Sequence, residues 1–215
     1  MRLTIIRHGQ SDVNVGSWKH LETMDSALTE KGQLQAAALR DWLIARDEQA
    51  DALYASTMRR AHETAHYIHE ALGLDIQVDD RIREIGNSAL DGRALPETDL
   101  PRVFNMNKPD KAPFAHRGLD IDNGESWMHF RTRIGQFMDD LARQHQRQRV
   151  YVVAHGGVIS AMFDNVFNVG PYRQARTHSH NTGWSRFVHQ RTSGRETWQV
   201  RFHNRIDHLI EKDLL

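Results

Sequence analysis

Two short apolar runs in this chain end in the same way, and that repeated ending constrains the fold more than any other feature. Leu3–Ile6 runs into Arg7-His8-Gly9-Gln10-Ser11, and Tyr151–Ala154 runs into His155-Gly156-Gly157. A β-branched run that stops at histidine and glycine reads as a buried strand with its carboxyl end at a ligand site, because open α/β sheets bind ligands there. One such strand is also readable as a plain strand ending in a solvated turn. Two with the same ending invite a shared site.

The rest of the chain alternates between helical and extended patterns. Thr29 is an N-cap for a helix reaching about Asp47, with Leu34, Ala38, Leu39, Trp42, Leu43 and Ala45 at helical spacing. Ala52–Ala55 follows as a strand, and Ser56 or Thr57 caps a helix from Met58 to Leu72 that Gly73 terminates. Ile76–Val78 is a third strand. A helix carrying Phe130, Ile134, Phe137, Met138 and Leu141 leads to the strand Val150–Ala154, and another helix runs from about Val158 to Phe167. Trp184–His189 and Thr197–Phe202 flank Ser193-Gly194 as a hairpin. This order predicts an α/β fold: a three-layer α/β/α sandwich on a mostly parallel, mixed sheet, in one domain over residues 1–215. Residues 86–123 hold four of the five prolines and no sustained periodicity, which predicts a lid or insertion.

Charge and composition narrow the partners. Lys plus Arg equals Asp plus Glu at 28 each, so no global field favours nucleic acid or an anionic membrane, and any polyanion site must be local. The chain has no cysteine, which removes disulfide and thiolate chemistry. No apolar stretch approaches the roughly 18 residues of a membrane span, and no secretory h-region opens the chain. The expectation is a soluble, cytoplasmic protein that binds a small molecule, with a homodimer compatible.

Further pieces fall at other junctions. Ser56-Thr57-Met58-Arg59-Arg60-Ala61, with Thr64, puts an arginine pair where a strand turns into a helix; Ile82-Arg83-Glu84 puts a carboxylate at another strand exit; Gly124-Glu125-Ser126 opens a helix. With the two His-Gly motifs, Asn14, Leu28-Thr29 and Gly32, this set resembles the histidine phosphatase superfamily (branch 1), the phosphoglycerate mutase-like enzymes, over nearly the whole chain and in the family's order. The resemblance implies a phosphoglycerate mutase-like fold and a histidine acid phosphatase-type enzyme. It makes His8 the nucleophile that becomes a phosphohistidine, Arg7, Arg60 and His155 the phosphate pocket, and Glu84 the proton donor. Arg60 rather than Arg59 takes the place of the family arginine, because Ala61 and Thr64 then match the family's next positions. Substrate contacts are expected from Asn14, Ser11, Gln10, Gly156, Asn181 and Thr182.

The chemistry agrees with these residue types. Phosphoryl transfer needs positioning and charge balance on the equatorial oxygens, which two arginines supply as planar, permanent cations. A neutral His8 has a lone pair for in-line attack if its other nitrogen is bonded to a carbonyl. A protonated His155 adds a donor, and Glu84 with a raised pKa could give the leaving alkoxide its proton. No metal is required. The leading reading is a metal-independent phosphomonoester hydrolase acting on a small phosphorylated metabolite. A 2,3-bisphosphoglycerate-dependent phosphoglycerate mutase is the alternative, the only case in which that compound is a cofactor, and a non-catalytic phosphate-binding regulatory module is a third. A mutase must hold a second anionic group, for which Arg93, Arg102, Lys108, Lys111, His116 and Arg117 in the insertion are candidates.

Other motifs have plainer readings. His62-Glu63-Thr64-Ala65-His66 matches a zinc-protease pattern. On a helix, however, Ala61, Ala65, Ile68 and Leu72 make the apolar stripe, which leaves His62, His66 and His69 facing solvent. His178 and His180 read as a polar loop. Arg131, Arg133, Arg143, Arg147 and Arg149 read as a solvated helix face and its exit, and Glu125 as a carboxylate on a helix dipole. Glu84 could instead pair with Arg81 or Arg83 at the surface.

Overall fold

The computed structural model describes residues 1–15, 25–85, 114, 125–172 and 175–215. The lid expected over 86–123 lies outside these except for Phe114, as do the candidate anion contacts in it and Gly124. In chain order the elements are β1 (Arg2–Arg7), α1 (Glu30–Ala45), β2 (Ala52–Ala55), α2 (Arg59–Leu72), β3 (Ile76–Val78), a 3-10 turn (Asp80–Ile82), α3 (Trp127–Gln144), β4 (Arg149–Ala154), α4 (Gly156–Val166), β5 (Trp184–Thr192), β6 (Arg195–Arg205) and α5 (Asp207–Ile210).

Among the described residues these strands form one six-stranded sheet in the order β3-β2-β4-β1-β5-β6. β3, β2, β4 and β1 are parallel, and β5 and β6 are antiparallel. The sheet is therefore mixed, and the hairpin turns at Gly194, whose φ of +79° suits glycine. Helices α1 and α2 cover one face, where Leu39, Leu43, Ala61, Ala65 and Ile68 pack on Ile6, Leu53, Tyr151, Val153 and Trp184. Helices α3 and α4 cover the other through Phe130, Ile134, Phe137, Val158 and Met162 against Leu3, Ile5, Val150 and Val152. Each fully buried Leu, Ile or Phe side chain contributes about 2 kcal/mol to this arrangement.

Three local details shape the site. Thr29 caps α1, its side chain accepting the Gly32 N–H at 3.1 Å. Helix α2, by contrast, has Met58 at its N-cap with no side-chain cap, so neither Ser56 nor Thr57 fills the expected role. The chain leaves β2 at Ala55 and needs three residues to turn; Ser56 sits too early and instead accepts the Met58 N–H at 3.2 Å. Helix α4 starts at Gly156, directly after His155, two residues earlier than its apolar spacing predicts. A Cβ at Gly157 would collide with the Glu84 carboxylate, so glycine there leaves room for that side chain beside the start of α4.

The first turn of α1 lies directly on the loop after β1. A Cβ on Gly32 would overlap the Gln10 carbonyl oxygen, a backbone atom that no rotamer change can move. Gly32→Ala is expected to destabilise the fold by about 2–3 kcal/mol through overpacking. At this chain length the melting temperature should then fall by roughly 6–9 °C, read by calorimetry or circular dichroism. A loss under about 1 °C would mean that α1 shifts freely on the loop.

Candidate active site

Parallel pairing of β1 with β4 puts Arg7 opposite Ala154, so His8 and His155 leave the sheet side by side. The His8 N–H bonds the Ala154 carbonyl at 2.9 Å, and the two imidazole centroids are 5.1 Å apart. Both rings are buried, as are Arg60 from the first turn of α2 and Ser56 from the end of β2.

The His8 tautomer follows from its two contacts. Nδ1 lies 2.6 Å from the Gly9 carbonyl, which can only accept, so Nδ1 carries the proton. Arg60 Nε donates to Nε2 at 3.2 Å, so Nε2 presents a lone pair. Burial holds the His8 pKa well below the ordinary imidazole range, with Arg60 and then Arg7 adding to the shift. His8 is thus neutral at physiological pH.

His155 is held neutral in the same way, by burial first and then by Arg60 and His8. Its Nε2 is 2.9 Å from the Ser56 hydroxyl. Ser56 accepts from the Met58 N–H and still has a proton and a second lone pair, so its hydroxyl fits His155 with the ring proton on either Nε2 or Nδ1. That Nδ1 and Arg7 Nε are buried polar atoms without a hydrogen-bond partner among the described residues. A bound anion would supply an acceptor to both and would raise both imidazole pKa values. Protonation of His155 is therefore coupled to anion binding.

The guanidiniums remain cationic. Burial lowers the pKa of Arg60 to about 10 and that of Arg7 by a smaller amount, with Glu84 opposing both shifts. Arg7 Nη1 donates to the Ser179 carbonyl at 2.5 Å. Arg59, the alternative to Arg60, is exposed and pairs with Glu63 at 2.7 Å. Glu84 faces inward: it accepts the Gly157 N–H at 3.0 Å and acts electrostatically on Arg7 and Arg60. No surface pair with Arg81 forms, because Arg81 is bound to Asp79 and Asp140.

The expected substrate contacts divide. Asn14 Oδ1 accepts from Ser11 N–H, Ser11 hydroxyl and Asn181 Nδ2, and Asn181 Nδ2 also donates to the His8 carbonyl at 2.9 Å. Ser11, Asn14 and Asn181 thus brace the loop that carries His8, with Asn14 at the surface. Gly156 lies alongside Arg7 Nε. Gln10 and Thr182 point elsewhere. The Gln10 side chain accepts from the Thr29 hydroxyl at 2.9 Å, drawn to the start of α1. Thr182 has a φ of +54° that turns its buried hydroxyl toward the Asn181 carbonyl and His208 Nε2, at 2.8 and 2.9 Å. What Thr182 offers the site is its N–H, which bonds the Arg7 and His8 carbonyls.

Several supporting residues have roles that the sequence patterns do not give. Thr64 accepts the Gly9 N–H at 3.0 Å and donates to the Arg60 carbonyl at 2.7 Å, tying the loop after β1 to α2. Arg133 is not a solvated patch residue: it donates to the Arg81 and Arg83 carbonyls just ahead of Glu84 and pairs with Glu125 at 2.6 Å. Glu125 therefore serves Arg133 and not a helix dipole. Arg131 is also buried, donating to the Asp164 and Val169 carbonyls. Long arginines on α3 can reach the core side, which a helical-wheel argument does not distinguish. Only the Ser56 and Thr64 hydroxyls carry a signal, as polar residues beside the arginine pair.

The zinc-protease pattern on α2 has other uses. Glu63 accepts from Arg59 and from the Leu28 N–H, and His66 is exposed. Among the described residues no helix is long and apolar enough to cross a membrane.

His208 gives the site a pH signature. Burial lowers its pKa to about 4. The unfolded chain takes up its proton near pH 6.5 and the folded chain does not, so stability is full above about pH 7.5 and falls as pH drops toward 4. From this group alone, unfolding at pH 5 should be easier by about 2 kcal/mol than at pH 7.5. Urea titrations at the two pH values read the difference, and His208→Gln should remove that share of it. An unchanged difference in the variant would place the acid sensitivity in other histidines.

A sheet edge with paired imidazoles, two buried arginines and an inward carboxylate defines a class of anion-handling α/β enzymes. The profile of the histidine phosphatase superfamily (branch 1) matches residues 3–204, and the chain belongs to that family. It is similar to phosphoserine phosphatase 1 of Hydrogenobacter thermophilus, with 31% identity over 76% of this chain and 74% of that protein. It is also similar to "Probable phosphoglycerate mutase GpmB" of Erwinia tasmaniensis, with 26% identity over 100% and 97%. Among solved structures, the mycobacterial glucosyl-3-phosphoglycerate phosphatase complexed with VO3 superimposes with a TM-score of 0.71 at 26% identity, over 94% of this chain and 98% of that one.

Proposed function

We propose that the chain is a phosphomonoester hydrolase that works through a phosphohistidine at His8 and needs no metal. The observation that supports this most is the imidazole of His8, whose proton is held on Nδ1 by the Gly9 carbonyl and whose Nε2 lone pair faces Arg60. In this reading Nε2 displaces Arg60 Nε and attacks phosphorus. The P–O bond to the leaving group breaks, and Glu84 passes its proton to the departing alkoxide. Glu84 then takes a proton from water, which attacks the phosphohistidine and releases inorganic phosphate and free His8. Arg7, Arg60 and His155 Nδ1 bind the equatorial oxygens, and their charge stands where other phosphoryl-transfer enzymes place metal ions.

Two similar proteins are named for phosphatase action, and the esters in their names, phosphoserine and glucosyl-3-phosphoglycerate, each carry a carboxylate. Small phosphorylated carboxylates are therefore the substrate class of this reading. The full-length likeness to a named phosphoglycerate mutase keeps isomerisation as a second reading, in which the phosphohistidine returns its phosphate to a hydroxy acid. A panel of phosphomonoesters assayed in chelator, beside a phosphoglycerate mutase assay with and without 2,3-bisphosphoglycerate, separates them. Hydrolysis without isomerisation is expected. Isomerisation that outruns hydrolysis and requires bisphosphoglycerate would replace the first reading with the second.

A further inference from the structure

The end of the sheet remote from His8 is lined with arginine. A groove of about 1200 Å3 crosses the amino-terminal ends of β1 and β4 and the outer part of the β5–β6 hairpin, bordered by Arg2, Arg147, Arg149, Arg186, Arg191 and Arg201. Carboxylates answer half of these: Arg149 pairs with Asp51, Arg186 with Glu48 and Arg191 with Glu196. The side chains of Arg2, Arg147 and Arg201 have no hydrogen bond or ion pair among the described residues.

That concentration is unusual for this molecule. Elsewhere most of the described surface arginines are matched, as in Arg40 with Glu70, Arg46 with Glu211, Arg59 with Glu63, Arg143 with Asp140 and Arg205 with Asp207. Outside the His8 pocket, the described arginines lacking any such partner are Arg2, Arg147, Arg195 and Arg201, and all but Arg195 line this groove. The chain as a whole is neutral, so the excess is a local field. Arg147 adds a second observation. It has a φ of +66°, a left-handed backbone that carries a steric cost for any residue with a side chain. Its exposed side chain returns nothing to the fold, so the strained position holds a charge that folding does not use.

We infer that this groove is a second anion site, built for a chain of linked phosphates: inorganic triphosphate, or the triphosphate of a nucleotide. Guanidinium forks bind phosphoryl oxygens in pairs, and three unmatched arginines along one groove suit three linked phosphoryl groups better than one. Phe202, with the Arg186 guanidinium 5.3 Å from its ring centroid, also lines the groove and gives it an aromatic surface. The site is independent of the reading proposed for His8, because no residue is shared.

Sodium triphosphate titrated calorimetrically into the full chain tests it, with and without excess orthophosphate to occupy the His8 pocket. Binding should persist under orthophosphate and weaken with added salt. In the double variant Arg147→Gly/Arg201→Gln the affinity should fall about 2–30-fold, since two exposed charge pairs are lost. The same variant should melt no lower than the parent and keep its phosphomonoesterase rate. ATP that binds as well as triphosphate identifies the phosphate chain as the whole recognition element; ATP that binds more tightly identifies a nucleotide. Triphosphate binding that orthophosphate abolishes, or that the double variant leaves unchanged, overturns the inference. Tighter binding of a single-stranded oligonucleotide than of ATP overturns it in favour of nucleic acid.

Discussion

His8→Ala should abolish turnover, with kcat/KM for any phosphomonoester falling by about four orders of magnitude or more, because the nucleophile itself is removed. The anion pocket should survive. Ser179 and Ser56 bond the Arg7 and His155 side chains and Thr64 bonds the Arg60 backbone carbonyl, all without the His8 ring, and Arg60 Nη2 keeps its contact with Met58 Sδ. Removing the ring also frees Arg60 Nε, which His8 otherwise engages. Orthophosphate should therefore bind the variant within about tenfold of the parent. Rapid quench of the parent during turnover should trap an acid-labile, base-stable phosphate on protein, absent from the variant. Trapped phosphate that survives His8→Ala would move the nucleophile elsewhere.

The second large effect is expected at Glu84, and it should depend on the leaving group. Glu84→Gln keeps an oxygen to accept the Gly157 N–H and gives up the bond that the second carboxylate oxygen accepts from the Ile85 N–H, so the side chain stays anchored at Gly157 while losing its proton-transfer capacity. For an alkyl phosphate such as phosphoserine, kcat should fall by about 10²–10⁴-fold, the usual worth of a general acid. For p-nitrophenyl phosphate, whose leaving group departs without a proton, formation of the phosphoenzyme should fall far less. Its hydrolysis should still slow, so phosphoenzyme accumulates with a visible burst. Equal losses in the first step for both substrates would show that Glu84 does not protonate the leaving group.

Much of this framework is legible in the order of residues. The strand-to-helix alternation and the hairpin at Ser193-Gly194 lead to the mixed sheet, because period and turn chemistry are local properties. His8 and His155 are readable as neighbours once both strands are assigned to one parallel sheet edge. The directions of Gln10 and Thr182 are not. Each is a polar residue in a loop beside the pocket, and only its competing partners, Thr29 and His208, decide that it turns away. Arg131 and Arg133 fail for a related reason. A wheel projection places Cβ atoms, while a guanidinium several bonds further out can return to buried carbonyls at Asp164 or Arg83. The neutral state of His155 is likewise invisible until burial and the flanking Arg60 are known.

The bonds between the loop after β1 and residues 181–182 bear on when the enzyme comes into being. The His8 carbonyl is held by Asn181 across 173 residues of chain, and Thr182 closes on the same peptide. Contacts of such sequence separation form late, after the loop-closure entropy of the intervening elements has been overcome. A refolding or nascent chain that contains only β1, α1 and α2 lacks β4, which lies between β1 and β2 and holds the His8 N–H through Ala154. His8 therefore meets Arg60 and Thr64 only after β4 has paired, and the peptide after β1 is fixed in register only when residues 181–182 arrive. Catalytic activity in this molecule should be the last property to appear during folding and the first to vanish on local unfolding of the β5 entrance.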